Sequence, residues 1–220
     1  MHTKAVEDYL KAIFEVEREQ GKVSTTVLAE RMGVAPASVT GMLKKLDGLH
    51  LVTYERYQGV LLTESGRQLA LEVIRHHRLV ELYLAQAMDV PWDRVHDEAE
   101  KWEHVLSEYL EDRIDTLLGH PVSDPHGAPI PGRDGAMPAM SDLKLSDLEP
   151  GQTARVAEVS DHDADLLRYL GQMGLYPGTE LAVVARAPFN GPVTLQVQGA
   201  QHVLGLDAAS QIFVNRLPAE

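Results

Sequence analysis

Cysteine is absent from the 220-residue chain. That excludes a disulfide framework, thiolate metal ligands and a cysteine nucleophile, and it fits a protein of the reducing cytoplasm. Long apolar runs are missing too. No stretch approaches the roughly 18–20 residues that a membrane span needs, and nothing near Met1 has signal-peptide character. Nor is there an excess of basic charge: 20 Lys and Arg face 33 Asp and Glu, a net charge of −13. Nonspecific coating of nucleic acid normally needs the opposite sign. Sequence-specific DNA binding survives this argument, because the charge is segregated. Residues 1–74 carry nine basic and ten acidic side chains, residues 75–140 six and thirteen, and residues 141–220 five and ten. The N-terminal third is therefore nearly neutral, with Lys44 and Lys45 side by side, while the middle third concentrates carboxylates and histidines. Excess negative charge packed there calls for a counter-cation, and a metal ion is one solution.

What is present orders itself along the chain. Val6, Leu10, Ile13 and Phe14 follow helical spacing up to Gly21. A short helix around Val27, Leu28, Ala29 and Met32 starts at Ser24, Thr25 or Thr26. Gly33 and Val34 turn, and Pro36 opens a third helix over about 37–46, with Val39, Met42, Leu43 and Leu46 inward and Ser38, Thr40, Gly41, Lys44 and Lys45 outward. Two short helices joined by a tight turn, the second with small polar and basic outward residues, read as helix-turn-helix. Alternation over 51–57, a turn at Gln58-Gly59 and a return through Val60-Leu61-Leu62 supply a wing. Thr63 caps a long helix reaching about Met88, and Pro91 starts another expected to run unbroken over about 93–118. These two helices carry more apolar surface than a small winged domain covers, part of it assigned to a dimer interface; Tyr83, Met88 and Trp102 read as core. Residues 119–140 are rich in proline and glycine and read as a linker. Beyond 143, short β-rich runs over 154–159, 180–185, 193–197 and 212–215 suggest a small barrel. The expected fold is mainly α with α+β parts, divided as 1–72 (winged helix-turn-helix), 73–140 (helical dimerisation and metal binding, ending in the linker) and 141–220 (small β-barrel).

The string His96-Asp97-Glu98-Ala99-Glu100-Lys101-Trp102-Glu103-His104 carries the chemistry. On one helix, His96, Glu100, Glu103 and His104 share an arc of roughly 100°. On the preceding helix His77 and Glu81 are spaced i, i+4 and share a face. Imidazole and carboxylate without sulfur suit Mn2+, Fe2+, Co2+ or Zn2+, and the oxygen-rich balance leans toward Mn2+. A metal-dependent hydrolase is a rival reading, but no nucleophile–base motif accompanies the cluster. A metal-independent DNA-binding protein with merely solvated helix faces is another.

At these residues the chain resembles the three-domain members of the diphtheria toxin repressor family of metal-dependent transcriptional regulators. The resemblance covers essentially the whole length. It rests on Glu7-Asp8-Tyr9-Leu10, Thr63-Glu64-Ser65-Gly66-Arg67, Arg75-His76-His77-Arg78-Leu79, His96-Asp97-Glu98-Ala99-Glu100, Trp102-Glu103-His104-Val105, Pro125-His126-Gly127 and Ile130-Pro131-Gly132. Leu170-Gly171 and Gly174-Leu175-Tyr176-Pro177-Gly178 resemble the SH3-like domain of ferrous-iron transport protein A type. The resemblance implies a non-enzymatic, cytoplasmic homodimer that binds palindromic double-stranded operator DNA, mostly as a repressor, and controls manganese or iron transport genes. It takes no small-molecule substrate other than the metal ion and touches no membrane. It implies a primary site of Asp8, Glu100, Glu103 and His104, with the Glu100 carbonyl as a further possible donor. It also implies a second site of His77, Glu81 and His96 completed from the C-terminal domain, for which Glu158, Asp161 and His162 are candidates and Asp161 is favoured.

Iron-sensing members carry Met and Cys where this chain has Asp8 and Glu100, so hard oxygen replaces soft sulfur and the expectation is Mn2+, two ions per protomer. An iron(II)-dependent repressor is the alternative, and Fe2+, Co2+, Zn2+ or Cd2+ are expected to bind in vitro. Short manganese regulators of the family use a Glu where this chain has Lys11, which cannot ligate while protonated; two well-separated sites are expected instead. Metal at the primary site would fix the winged domain relative to the dimer axis, setting two recognition helices one major-groove repeat, or a multiple of it, apart. Thr40 and Gly41 are expected to face bases, and Ser38, Lys44 and the wing residues Arg56 and Tyr57 to face the DNA backbone.

Overall fold

The structure is a computed structural model that describes residues 3–55 and 58–218. It divides into two compact units: Met1–His76 with Glu103–Leu106 and Pro131–Ala136, and His77–Trp102 with Ser107–Ile130 and Met137–Glu220. The division falls within one helix, between His76 and His77.

In the first unit, α1 (Lys4–Gln20) buries Val6, Tyr9, Leu10, Ile13, Phe14 and Val16, a stripe at helical spacing that faces the core. Ser24 caps α2 (Thr25–Met32) by accepting the Val27 amide at 3.2 Å, and Gly33 closes the helix in the left-handed region. Pro36 opens α3 (Pro36–Gly48), which buries Val39, Leu43 and Leu46. Strands β1 (Val52–Glu55) and β2 (Gly59–Leu62) pair antiparallel as the wing. Thr63 then caps α4 (Glu64–Met88): its hydroxyl accepts the Gly66 amide at 3.1 Å and donates to the His50 carbonyl at 2.8 Å. Gly66 is needed there, since a Cβ would lie 1.9 Å from the Leu51 carbonyl oxygen. The helix-turn-helix and wing expected from the sequence are all present among the described residues.

The second unit begins with the C-terminal part of α4. The single helix expected over about 93–118 is instead two, α5 (Val95–Trp102) and α6 (Glu108–Leu117), separated by a turn at 103–105. Ser107 starts the second by accepting the Leu110 amide. Glu103 and His104 thus lie beyond the end of α5, and the single helix expected to carry them together with His96 and Glu100 stops at Trp102. Leu79, Leu82 and Ile130 pack together with Ile114 and Leu118. Trp102 and Met88, expected in the core, are exposed, as are Tyr109, Leu110 and Leu117 on α6, whose only buried residue is Glu111.

The C-terminal part is a five-stranded antiparallel sheet in the order β6-β5-β4-β3-β7: β3 (Thr153–Val159), β4 (Glu180–Arg186), β5 (Val193–Val197), β6 (Ala200–Leu204) and β7 (Ile212–Arg216). Helix α7 (Ala164–Gln172), started by Asp163 accepting the Asp165 and Leu166 amides, covers it with Leu167 and Leu170; α8 (Leu206–Ala209) is a single turn. Leu145, Leu148, Val156, Leu181, Val183, Leu195 and Val214 fill the core. The bulge in β3 between Val156 and Glu158 faces Gly127, where a Cβ would come 2.0 Å from the Ala157 oxygen, and the Val159 amide donates to the His126 carbonyl at 2.9 Å. These two contacts bind the 124–128 loop to the end of β3, just before Asp161.

Candidate metal centres

The first cluster lies in the first unit. Asp8 comes from α1; Glu103 and His104 come from the turn at 103–105. His104 Nε2 lies 2.7 Å from Asp8 Oδ1 and 3.1 Å from Glu103 Oε1. It is buried, yet makes no hydrogen bond to either oxygen. The other ring nitrogen explains why. His104 Nδ1 donates to Glu7 Oε2 at 2.7 Å, which leaves the Nε2 lone pair facing two carboxylates. That arrangement is repulsive without a cation and fits a divalent ion. Glu103 is fixed from two further directions: Lys11 Nζ donates to its Oε2 at 2.9 Å, and His76 Nδ1 donates to its carbonyl at 3.2 Å. The ammonium of Lys11 leaves Glu103 Oε1 as the oxygen turned to the cluster. Glu7 was not singled out as a functional residue from the sequence, although it immediately precedes Asp8.

The second cluster lies wholly in the second unit. One donor atom from each of His77, Glu81, His96 and Asp161 lies within 4.8 Å of the others. His77 Nε2 is 3.0 Å from Glu81 Oε1 and 3.1 Å from His96 Nδ1, and His96 Nδ1 is 3.4 Å from Glu81 Oε1 and 3.2 Å from Asp161 Oδ2. Ligands about 2.1 Å from one ion stand roughly 3 Å apart, so these separations suit a shared metal. His126, fully buried, adds Nδ1 at 3.8 Å from Glu81 Oε1 and 4.0 Å from Asp161 Oδ2, with no hydrogen bond of its own. Glu81 Oε2 and Asp124 Oδ2 are likewise buried without a hydrogen bond. Asp124 spends its other oxygen on the His126 and Ala128 amides at 2.8 and 3.0 Å.

The charges answer one another. Burial alone would push the Glu81 carboxyl up, but His77, His126 and His96 hold it well below the carboxylate range. Burial opposes charging of His96, yet the Asp161 and Glu81 carboxylates raise it to about 11. His126 is raised in the same way, mainly by Glu81, to about 9. Asp161, despite burial, is depressed by His96. Asp124 moves up to about 7, because it is buried and repelled by Glu81.

Of the four residues expected at the primary site, Asp8, Glu103 and His104 are gathered. Glu100, half-exposed on α5, has its Oε1 3.9 Å from both His77 Nδ1 and His96 Nε2. The second set of four is gathered, and His126 and Asp124 join it unforeseen. Of the other candidates, His162 Nδ1 lies 3.4 Å from Asp161 Oδ1 with its ring edge on His96, and Glu158 sits on β3. On α3, Ser38, Gly41 and Lys44 are exposed, whereas Thr40 is half-buried and its hydroxyl donates to the Pro36 carbonyl at 3.0 Å. Arg56 and Tyr57 lie outside the described residues.

Known proteins share this organisation. Residues 1–60 match the iron dependent repressor, N-terminal DNA binding domain; residues 63–132 match the iron dependent repressor, metal binding and dimerisation domain; residues 143–216 match a FeoA domain. The iron-dependent repressor IdeR of Mycobacterium tuberculosis (strain ATCC 25618 / H37Rv) is 34% identical over 211 residues, covering 90% of each chain. A manganese-dependent transcriptional repressor solved in complex with manganese is 42% identical, with a TM-score of 0.91, over 96% of this chain and 100% of that one. ScaR with bound Cd2+ is 32% identical, with a TM-score of 0.84, over 96% and 99%.

Proposed function

The chain belongs to the iron-dependent (diphtheria toxin) repressor family of metal-dependent, non-enzymatic transcriptional repressors, and from that premise we propose that its signal is Mn2+, bound at two sites per protomer. The first site takes Asp8, Glu103 and His104, with Glu100 as the fourth ligand. The second takes His77, Glu81, His96 and Asp161, with His126 added. The protein acts as a homodimer on palindromic operator DNA near manganese or iron transport genes. What carries the metal choice is the donor chemistry: every gathered donor is a carboxylate oxygen or an imidazole nitrogen, a set that favours Mn2+ over softer ions by ligand type.

A divalent ion in the first cluster would place positive charge between the Asp8 and Glu103 oxygens that face His104 Nε2. Asp8 belongs to the helix beneath the helix-turn-helix, while Glu103 and His104 follow directly on α5 in the chain. Joining them ties the DNA-binding domain to the dimerisation sequence. Glu7 keeps His104 in the tautomer whose Nε2 is a donor, and Lys11 keeps Glu103 turned by one oxygen, disfavouring a second adjacent ion. The exposed apolar residues Tyr109, Leu110 and Leu117 supply surface for the homodimer. Ser38, Thr40, Gly41 and Lys44 contact DNA, as do Arg56 and Tyr57.

Metal analysis of dialysed protein tests the assignment. Wild type should hold two Mn2+ per protomer, and His77→Ala and Asp8→Ala one each. Two ions retained in His77→Ala would remove the second site from the account.

A further inference from the structure

His126 reaches the second cluster with its ring held by something other than the cluster. Its Nε2 lies 2.7 Å from the carbonyl oxygen of Trp92. A carbonyl only accepts, so Nε2 carries a proton and Nδ1 is the nitrogen left for the cluster. The Trp92 ring stacks on the His126 ring at 5.8 Å and 30°, and also meets the Tyr176 ring at 4.7 Å and 51°. Tyr176 and the facing helix α7 belong to the FeoA-type domain. Arg168 on α7 donates to Asp93 at 2.8 Å, beside Trp92. Gly171 on the same helix leaves room for both rings: a Cβ there would lie 2.8 Å from the Tyr176 hydroxyl and 3.3 Å from Trp92 Nε1. Trp92 also packs against the apolar core of the sheet.

We propose that Trp92 is a positioning residue for His126, clamped by Tyr176 and Gly171, so that the C-terminal domain sets the affinity of the second metal site through the His126 ring as well as through Asp161. This rests on the reading that His126 is a ligand of that site. The carbonyl selects the tautomer, the stacked Trp92 ring, itself backed by Tyr176, restrains the ring plane, and the β3 contact to the His126 carbonyl fixes its backbone. A ligand whose other ring nitrogen is so held is a better donor, and loss of such a support ordinarily lowers metal affinity about 10–100-fold. The coupling is reciprocal: metal on His126 must tighten the seating of α7 against the 92–93 segment.

Gly171→Ala is the decisive variant. Alanine is the better helix former, so α7 should not suffer, while its methyl pushes Tyr176 and Trp92 aside. Mn2+ titration of the full-length protein should show second-site affinity weakened roughly tenfold, with first-site affinity not reduced. Trp92→Ala should act in the same direction and Trp92→Phe should restore affinity. In the Zn2+-loaded protein, the proton on His126 Nε2 should be protected from solvent exchange in wild type and lose that protection in Gly171→Ala. His126→Ala separates the two layers of the argument. If His126→Ala keeps both Mn2+ affinities, the ligand reading fails. If His126→Ala loses the second ion while Gly171→Ala and Trp92→Ala bind like wild type, the positioning role is overturned.

Discussion

Replacing Glu7 should weaken the first metal site without removing a ligand from it. The Glu7 carboxylate accepts from His104 Nδ1 at 2.7 Å, with side chains only 15% and 7% exposed, so solvent screening is slight. A hydrogen bond to a charged group in such a setting contributes about 1.5–3 kcal/mol. Loss of a carboxylate behind a metal-bound histidine costs about 10–100-fold in affinity, or roughly 1.4–2.7 kcal/mol. The two figures coincide. Glu7→Gln keeps an acceptor and should fall near the lower end; Glu7→Ala, which frees the ring to turn and to change tautomer, should fall near the upper. Chelator competition measures the first-site Mn2+ affinity directly, and the Mn2+ concentration at half-maximal operator binding should move by the same factor. Stoichiometry should stay at two, since Glu7 supports a ligand and is not one. Glu7→Ala with unchanged first-site affinity would refute the reasoning. So would strict additivity with His104→Ala, because residues acting through one bond must couple.

Three further outcomes follow from the same geometry. Asp8→Met combined with Glu100→Cys should move the response from Mn2+ toward Fe2+, read as operator binding against each ion; unchanged responses would end the argument from ligand softness. Lowering the pH should weaken the second site: His126 and His96 titrate near 9 and 11 without metal, so both carry protons at neutral pH that an ion must displace. Calorimetry in buffers of different ionisation enthalpy should therefore register about two protons released per second-site ion. The same raised His126 stabilises the metal-free fold fully below its unfolded value of about 6.5, and that contribution is lost as pH rises toward 9. The rise in melting temperature on adding Mn2+ should accordingly be larger at pH 8 than at pH 6. Lys44→Ala should weaken binding to all DNA sequences about equally and reduce the slope of log affinity against log salt by about one.

Local signals carried most of the N-terminal architecture. The stripe on α1, the Ser24 and Thr63 caps, Pro36 at a helix start and the Gly59 turn are all short-range chemistry, and each reads directly from neighbouring residues. The break between α5 and α6 did not, because Glu103 and His104 continue the helical spacing of His96 and Glu100. What ends the helix is tertiary: Lys11 and His76 hold Glu103 from α1 and α4. Ser107 was the local sign of a new helix start. Strand β6 was missed because Gln201 and His202 dilute the β pattern of an edge strand, and α7 was missed although Asp163 caps a plain run of Leu166, Leu167 and Leu170. Nothing in the string Pro125-His126-Gly127 marks His126 as a ligand. It sits in a loop without periodicity, and only the contact of Gly127 with β3 brings it to Glu81 and Asp161. The place of Asp161 came from family resemblance, since no spacing rule links residue 161 to residue 77.

The central claim is that Mn2+ gates DNA binding, and selection of genomic DNA fragments by chelator-stripped protein, with and without Mn2+, tests it most directly. A pre-existing balance of 1:99 must be shifted by about 5.5 kcal/mol to reach 99:1, so a true gate leaves little binding without metal. The account predicts enrichment of one palindromic sequence with Mn2+ and none without it. Equal enrichment of that sequence in both conditions would contradict it.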